Sequence, residues 1–461
     1  MQPRKTPVGP LIGIVVGFVC VALLQTRIDS RKPQYDPARG TYGQAASKLP
    51  IEFALGAATG FREAIAGLLW VRTDDFFHSG EYKAIPPMIR IITWLDPHNL
   101  DVYETGAWHL DYNFTDTQER SDRRYIPLSI ALEKEGIANN PDLPEMYADL
   151  AFTHYYRKIG DYTAAAETLE RGQAVVDRLI ADGEANPKDE TKQYLASIGG
   201  SNIVMTTHAL AHAYEACGQI DKALAQWQKV IHMHQVNATK PWGKTQSELF
   251  SGRIAQKQYA EMLLRRKWRA NMARDPLDVQ FDVQLKRIAP KVFLVSGHLH
   301  TMGSKDFKLE QGPPVWAPYD GARVDIRLQD QGYKMPVITN FDLKTLTLNP
   351  DTTVLQDSVA VRADKFERKL DMSKDPDFYS FTGQKYELVV WFNPCNPLSA
   401  SPALQDRVGW LGEGLTDKRY LDTSGVIPGD ISAPIPGLRM VKKTFVLTRD
   451  DILGTTEAVF H

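Results

Sequence analysis

The sequence is poor in cysteine, lacks a charge imbalance and carries none of the common catalytic signatures, and each shortage removes a class of function. Its three cysteines, Cys20, Cys217 and Cys395, are widely spaced and include no C-x-x-C pair, so spacing indicates neither a disulfide framework nor a structural zinc knuckle. With 54 Lys and Arg against 56 Asp and Glu, the net charge is −2. Both signs are mixed along the chain, so no broad field draws in DNA or RNA, and nucleic acid is not an expected partner. There is no G-x-S-x-G, no Walker motif and no Cys/His pairing suited to nucleophilic attack. The stretch "GWLGEGLTD" (Gly409 to Asp417) holds three glycines but not at the G-x-G-x-x-G interval, which argues against a phosphate cradle. The expectation is a protein that is not an enzyme and needs no cofactor or metal.

One long apolar run is present. "MQPRKTPVGPLIGIVVGFVCVALLQTR" places Arg4 and Lys5 before an uncharged segment from Val8 to Leu24, closed by Arg27. As a helix it rises roughly 26 Å, a little under the ~30 Å hydrocarbon thickness of a bilayer. No small-x-small cleavage site closely follows it, and Gly17-Phe18-Val19 before Cys20 is a poor lipoprotein signal. The segment reads as an uncleaved signal anchor, with the lipid bilayer as a partner. Basic residues on both sides set orientation only weakly; an anchor this early usually leaves the rest of the chain outside the cytoplasm. Residues 31–50, with Pro33, Pro37, Gly40 and Gly43, read as a linker.

From about Ile51 to Ala273 the apolar spacing is helical, with Gly and Pro mainly between segments. These segments repeat. Gly80, Tyr82, Ile85, Ile89, Ile92 and Pro97 fall at the intervals of the second half of a 34-residue helix-pair repeat, and the clearest full unit comes later, in "THALAHAYEACGQIDKALAQWQKV". There Leu210, Ala211 and Tyr214 lie on one helix, Gly218 at the turn, and Ala223, Trp227 and Val230 on the next. Less regular copies lie between. One runs through Tyr103, Ala107 and Leu110 to a helix ending at Asn140-Pro141; the other runs through Tyr147, Leu150 and Ala151, turns at "IGDY" and continues through Ala165 and Leu169. Large residues where two helices cross and small ones where backbones approach are what such helix pairs require. On these residues the chain from 68 to 237 resembles the tetratricopeptide-repeat (TPR) family, with about four units, two of them stretched by insertions.

The resemblance implies a right-handed superhelix whose concave face binds peptides or protein segments, lined by the first helix of each unit. Carried over residue by residue, that face is Trp70, Asp74 and Phe77, then Glu104, Trp108 and Tyr112, then Phe152, Tyr155 and Tyr156, then His208, His212 and Glu215. Rings of this kind supply large contact area at low entropic cost. For any single ring, burial between repeats is an equally good account. His208 and His212 share a helix face, but "HALAH" lacks the Glu of the H-E-x-x-H metal motif. A last helix, about 246 to 273, with Arg265, Arg266, Lys267 and Arg269, reads as a polar cap.

After Asp275-Pro276 the period changes to alternation: "DVQFDVQLKRI", "KVFLVSGHLH", "ARVDIRLQD", "DSVAVRAD", "KYELVVWF" and "KKTFVLTRD". Several such segments without intervening helices predict an antiparallel β-sandwich, loosely similar to immunoglobulin-like or transthyretin-like modules through "DGARVDIRL". A connection from 393 to 437 has no clean strand, and loops of that length tend to be functional or to pack elsewhere.

The expected fold class is therefore multidomain α plus β. It comprises an N-terminal transmembrane helix (1–30), a linker (31–50), an α-helical TPR-like superhelix (51–275) and a C-terminal antiparallel β-sandwich (276–461). The expected function is a membrane-anchored protein–protein interaction scaffold at the cell envelope, with other proteins or peptide segments as partners. Two alternatives are a carbohydrate- or metal-dependent enzyme or binding module with Trp410, Glu413 and Asp417 as candidates, and a structural subunit of a larger membrane complex.

Overall fold

The computed structural model describes residues 61–81, 84–113, 125–239, 251–260, 262–263, 280–300, 319–331, 336–338, 346–348, 353–373, 381–396, 399–400, 404–405, 408–415, 418–428 and 434–461, together with Val16, Cys20 and Leu23. The remainder of the expected anchor, the linker and the cluster Arg265–Arg269 lie outside the described residues. Among the described residues no helix is long and apolar enough to cross a membrane. The molecule is mixed α and β, and it divides into two compact units. One unit is Met1–Leu110 with Pro127–Pro141 and Ile338–Thr347; the other is Asp111–Ile126 with Asp142–Val337 and Leu348–His461.

The first unit holds two helix pairs. Helix α1 (Arg62–Ser79) ends at Gly80, whose φ of 78° lets its N–H cap the carbonyls of Phe76 and Phe77, a conformation that costs glycine nothing. Helix α2 (Ile85–Leu95) starts with proline in its first turn and stops at Asp96, before Pro97. Ile85, Ile89, Ile92 and Leu95 are all buried, so the predicted apolar stripe is the packing face. Helix α3 (Leu100–Trp108) continues as a π-helical turn, His109–Asn113, and pairs with α4 (Ile126–Asn139). Gly106 sits where the helices cross: a Cβ there would lie 3.1 Å from Ile89 Cδ1 and 3.3 Å from Leu132 Cδ2. Arg90 donates to both carboxylate oxygens of Glu135 at 3.0 and 2.9 Å, fixing the α2–α4 approach.

The second unit holds two longer pairs and the sheet. Helix α5 (Pro144–Asp149) runs into a ten-residue π-helix, Leu150–Ile159. The chain then turns through Gly160 at φ 74°, and the Asp161 carboxylate accepts from Ala164 N–H at 2.9 Å to cap α6 (Tyr162–Ala185). Helix α7 (Glu190–Ala216) and α8 (Ile220–Ala238) follow, joined at Gly218. Leu210, Ala211, Tyr214, Ala223, Trp227 and Val230 are buried, as the repeat spacing predicts.

The strands are β1 (Gln280–Ala289), β2 (Val292–His300), β3 (Tyr319–Asp330), β4 (Pro336–Ile338), β5 (Leu346–Leu348), β6 (Thr353–Arg362), β7 (Lys365–Asp371), β8 (Lys385–Phe392), β9 (Leu421–Asp422), β10 (Met440–Thr448) and β11 (Ala458–Phe460). Nine of them form one sheet in the order β11-β1-β2-β7-β6-β3-β8-β10-β9, and β4 pairs with β5 apart from it. Its pairings are antiparallel. Strands β6 and β7 are neighbours in this order and pair at Arg362 and Lys365. Inward residues of both flanks, Phe281, Val283 and Leu285 on one and Ile326, Leu388 and Val390 on the other, belong to one buried cluster. The expected alternation is present, on one continuous curled sheet.

The connection after β8 packs against helices. The Cys395 thiol donates to the carbonyls of Glu215 and Ala216 at 3.5 and 3.3 Å. A Cβ on Gly218 would lie 3.1 Å from Leu411 and 3.2 Å from Ile435. Trp410 is buried and Glu413 accepts from the Leu411 N–H at 2.9 Å; Asp417 lies outside the described residues.

Candidate functional site

The residues predicted to line a groove fall into three groups. In the first unit, Trp70 and Phe77 are half-buried on α1, Asp74 is exposed, Glu104 is half-buried on α3, and Trp108 is 45% exposed. Phe77 and Trp108 both pack on His109, with ring centroids 4.6 and 5.5 Å away. Burial lowers the His109 pKa from its ordinary value, and the Asp74 carboxylate opposes that shift. Three predicted residues, Asp74, Phe77 and Trp108, thus gather around an imidazole that repeat spacing did not single out. The signal for His109 was its place directly after Trp108.

In the second unit, Tyr112 is half-buried; its hydroxyl donates to the Thr153 carbonyl at 2.7 Å and the Lys158 ammonium lies 4.8 Å from its ring centre. Phe152 stacks on Tyr156 at 5.2 Å. Tyr155 and Tyr156 are only 8% and 2% exposed, which corrects the expectation that both line an open face. The reason is local geometry: in the π-helix Leu150–Ile159 the bonding runs i to i+5. The i, i+3, i+4 register carried over from α-helical repeats therefore loses phase. Within that helix His154 is buried and its Nδ1 bonds the buried Asp111 carboxylate.

The third group is also structural. His208 and His212 are half-buried beside Trp227, with ring centroids at 5.4 and 5.1 Å. Glu215 is 3% exposed. It accepts from the Trp227 indole N–H at 2.6 Å and pairs with His212 Nδ1 at 3.1 Å. Glu215 was expected on the groove; its carboxylate is instead withdrawn to satisfy a fully buried indole.

The second unit contains a polar pocket of about 260 Å³ that no sequence pattern marks. Its helical wall is Tyr112, Tyr156, Arg157, Lys158 and Tyr162; its sheet wall includes Asp325, Arg327, Asp357, Trp391 and Asn393. Asp325 accepts from Ser399 Oγ at 2.8 Å. Burial raises its pKa to about 6, against the pull of Ser399, Arg327 and Arg323. Burial raises the Asp357 pKa as well, opposed by the Arg368 guanidinium at 2.6 Å. Arg327 donates to the Pro428 carbonyl and covers the Trp391 ring at 5.7 Å.

Comparison with known proteins finds no family model that matches the chain, and no curated protein or solved structure with significant similarity to it.

Proposed function

We propose that the chain is a membrane-anchored adaptor whose tetratricopeptide-like helix pairs hold segments of partner proteins, with the curled sheet serving as a β-sandwich-like second contact module. The apolar segment Val8–Leu24 would supply the anchor, with the body of the chain on the extracytoplasmic side. Successive helix pairs with buried Tyr, Leu, Ala and Trp at the repeat spacing support this reading. The observation that carries it is Trp108: an indole 45% exposed, packed edge-on against His109, which also meets the Phe77 ring, is a large ring at a surface that water only half covers. Aromatic anchors of this kind dominate binding energy where protein segments dock.

The test is photo-crosslinking of the full chain in its own membranes. A crosslinking residue is placed at Thr105, exposed and beside Trp108 on α3, and at Lys188, an exposed position of the other unit, as the control. The expected result is a discrete partner captured from position 105, absent from 188, and reduced at least fivefold by Trp108→Ala with helicity unchanged. Equal capture with and without Trp108 would remove the basis for the adaptor.

A further inference from the structure

Cys217 and Cys395 are the only cysteines outside the apolar segment that holds Cys20, and the fold of the second unit brings them together. Cys217 is the residue that caps α7, directly after Ala216; Cys395 lies in the connection after β8. The Cys395 thiol donates to the Ala216 carbonyl at 3.3 Å and reaches the Glu215 carbonyl at 3.5 Å. A carbonyl oxygen stands about 2.8 Å from the next Cα across a trans peptide, so the Cys217 Cα is at most about 6 Å from the Cys395 sulfur. Disulfides join residues whose Cα atoms are about 4.4–6.8 Å apart, and rotation of the two side chains with a small shift of the loop closes this gap.

Electrostatics give the same placement. Burial pushes the Cys395 thiol far above its ordinary range; next in strength is the negative charge of an ionised Cys217, ahead of Glu413 and Glu215. Burial, then Glu215, then the two cysteine sulfurs raise the Tyr156 hydroxyl, so one buried group lies within reach of both. Exposure divides their roles. Cys217 is half-buried and meets an outside reagent, whereas Cys395 is 0% exposed and can be reached only from within.

We infer that Cys217 and Cys395 are a disulfide-forming pair, closed when the reduced chain meets an oxidising disulfide, a pairing that their spacing in the sequence does not indicate. The oxidant is a small-molecule disulfide such as oxidised glutathione, or the disulfide of a thiol oxidoreductase. The Cys217 thiolate attacks one of its sulfurs, forming a mixed disulfide and expelling one thiolate. The Cys395 sulfur gives its proton to that thiolate, attacks the Cys217 sulfur and expels the second thiolate, which takes up the proton Cys217 had released. Two protein thiols are oxidised to one disulfide, and one external disulfide is reduced to two thiols. The bond fastens the connection after β8 to the end of α7, where Gly218 already meets Leu411 and Ile435, and so opposes unfolding of the second unit. The assignment is independent of the adaptor reading, whose carrying residue, Trp108, belongs to the other unit.

The experiment reduces the purified full chain in detergent and equilibrates it with mixtures of reduced and oxidised glutathione, with and without urea. Samples are quenched in acid, remaining thiols are blocked, and peptides are mapped by mass spectrometry without reduction. The Cys20→Ser chain is treated alongside, to keep the third thiol out of the exchange. The inference expects a linked pair of peptides containing Cys217 and Cys395 within a single chain. The effective concentration of the two thiols, read from the glutathione equilibrium, should be at least tenfold higher in the native state than in urea. The oxidised chain should unfold at a higher urea midpoint than the reduced one, and Cys217→Ser should abolish both the linked pair and that shift. Should Cys217→Ser fail to fold, the native-against-urea comparison in Cys20→Ser alters neither partner and decides alone. Recovery of both residues as thiols from the native chain, Cys217 held only as a mixed disulfide with glutathione, or a link that forms as readily in urea as in the native state would each overturn the assignment.

Discussion

At the residue scale, Asp325 shows how one buried group makes stability depend on pH. Its carboxyl ordinarily titrates near 3.8, and in the folded chain it does so at about 6. Between those values the folded state holds a proton that the unfolded state has released, so its contribution is favourable below about pH 4 and is lost as pH rises through 6. We expect Asp325→Asn to stabilise the chain at pH 7.5, by on the order of 2 kcal/mol, and to bring no gain at pH 4. Urea unfolding at the two pH values checks this; an equal shift at both would show that the charge is not the cause. Trp227 makes the complementary case. Its indole is fully buried and donates to Glu215 at 2.6 Å. Trp227→Phe keeps most of the apolar volume but deprives a buried carboxylate of a donor, and we expect a loss of about 1–3 kcal/mol in the same assay.

At the element scale, helix pairs are set by where small residues allow close approach. A Cβ on Gly183 of α6 would lie 2.4 Å from Ala196 Cβ on α7, with no flexible end to yield. Gly183→Ala should separate the two helices at a cost of about 1–3 kcal/mol, read as a lower urea midpoint. Gly200, on α7 with nothing within 4 Å of an added Cβ, is the control: the same exchange there should be neutral or stabilising. The β6–β7 hairpin offers the opposite sign. Ala363 and Asp364 both have positive φ, 49° and 63°, the pattern of a tight turn that favours glycine. Ala363→Gly should therefore raise stability by up to about 1 kcal/mol; a lower midpoint would mean the alanine methyl group contributes packing that outweighs its backbone strain.

Much of this scale was legible in the sequence. The stops at Gly80, Asp96-Pro97, Asn140-Pro141 and Gly160 and the turn at Gly218 were readable because capping and breaking are settled by a few neighbouring residues. The inward residues Phe281, Val283 and Leu285 were readable because a strand alternates strictly. The π-helices were not. A switch from i+4 to i+5 bonding leaves no mark in hydrophobic spacing over so few turns, and with it the facing of Tyr155 and Tyr156 was lost.

At the scale of the whole molecule, the second unit joins helices to sheet through buried contacts. Cys395 follows β8 yet lies against the carbonyls that end α7, and burial pushes its thiol pKa far above the ordinary range. A thiol reagent at pH 8 should therefore modify Cys395 only as fast as the unit opens. Labelling followed by peptide mass spectrometry across a urea series should show Cys395 reacting together with loss of helical signal. Rapid labelling in the native state would mean that the helices and the loop after β8 part easily.

The sequence by itself determined where several helices stop, that the chain changes from helical to strand-forming after Pro276, which residues of the main strands face inward, and that its charges balance and no common catalytic motif is present. These depend on neighbours within a few residues, on period and on composition. Only the tertiary structure decided which aromatic residues are sealed and which, like Trp108, stay at the surface. It alone brought Tyr156 and Asp325 into the lining of one pocket and sealed the Trp391 N–H away without a partner among the described residues. Those facts rest on strand order, on helical phase and on contacts between residues more than a hundred positions apart, and no local pattern encodes them.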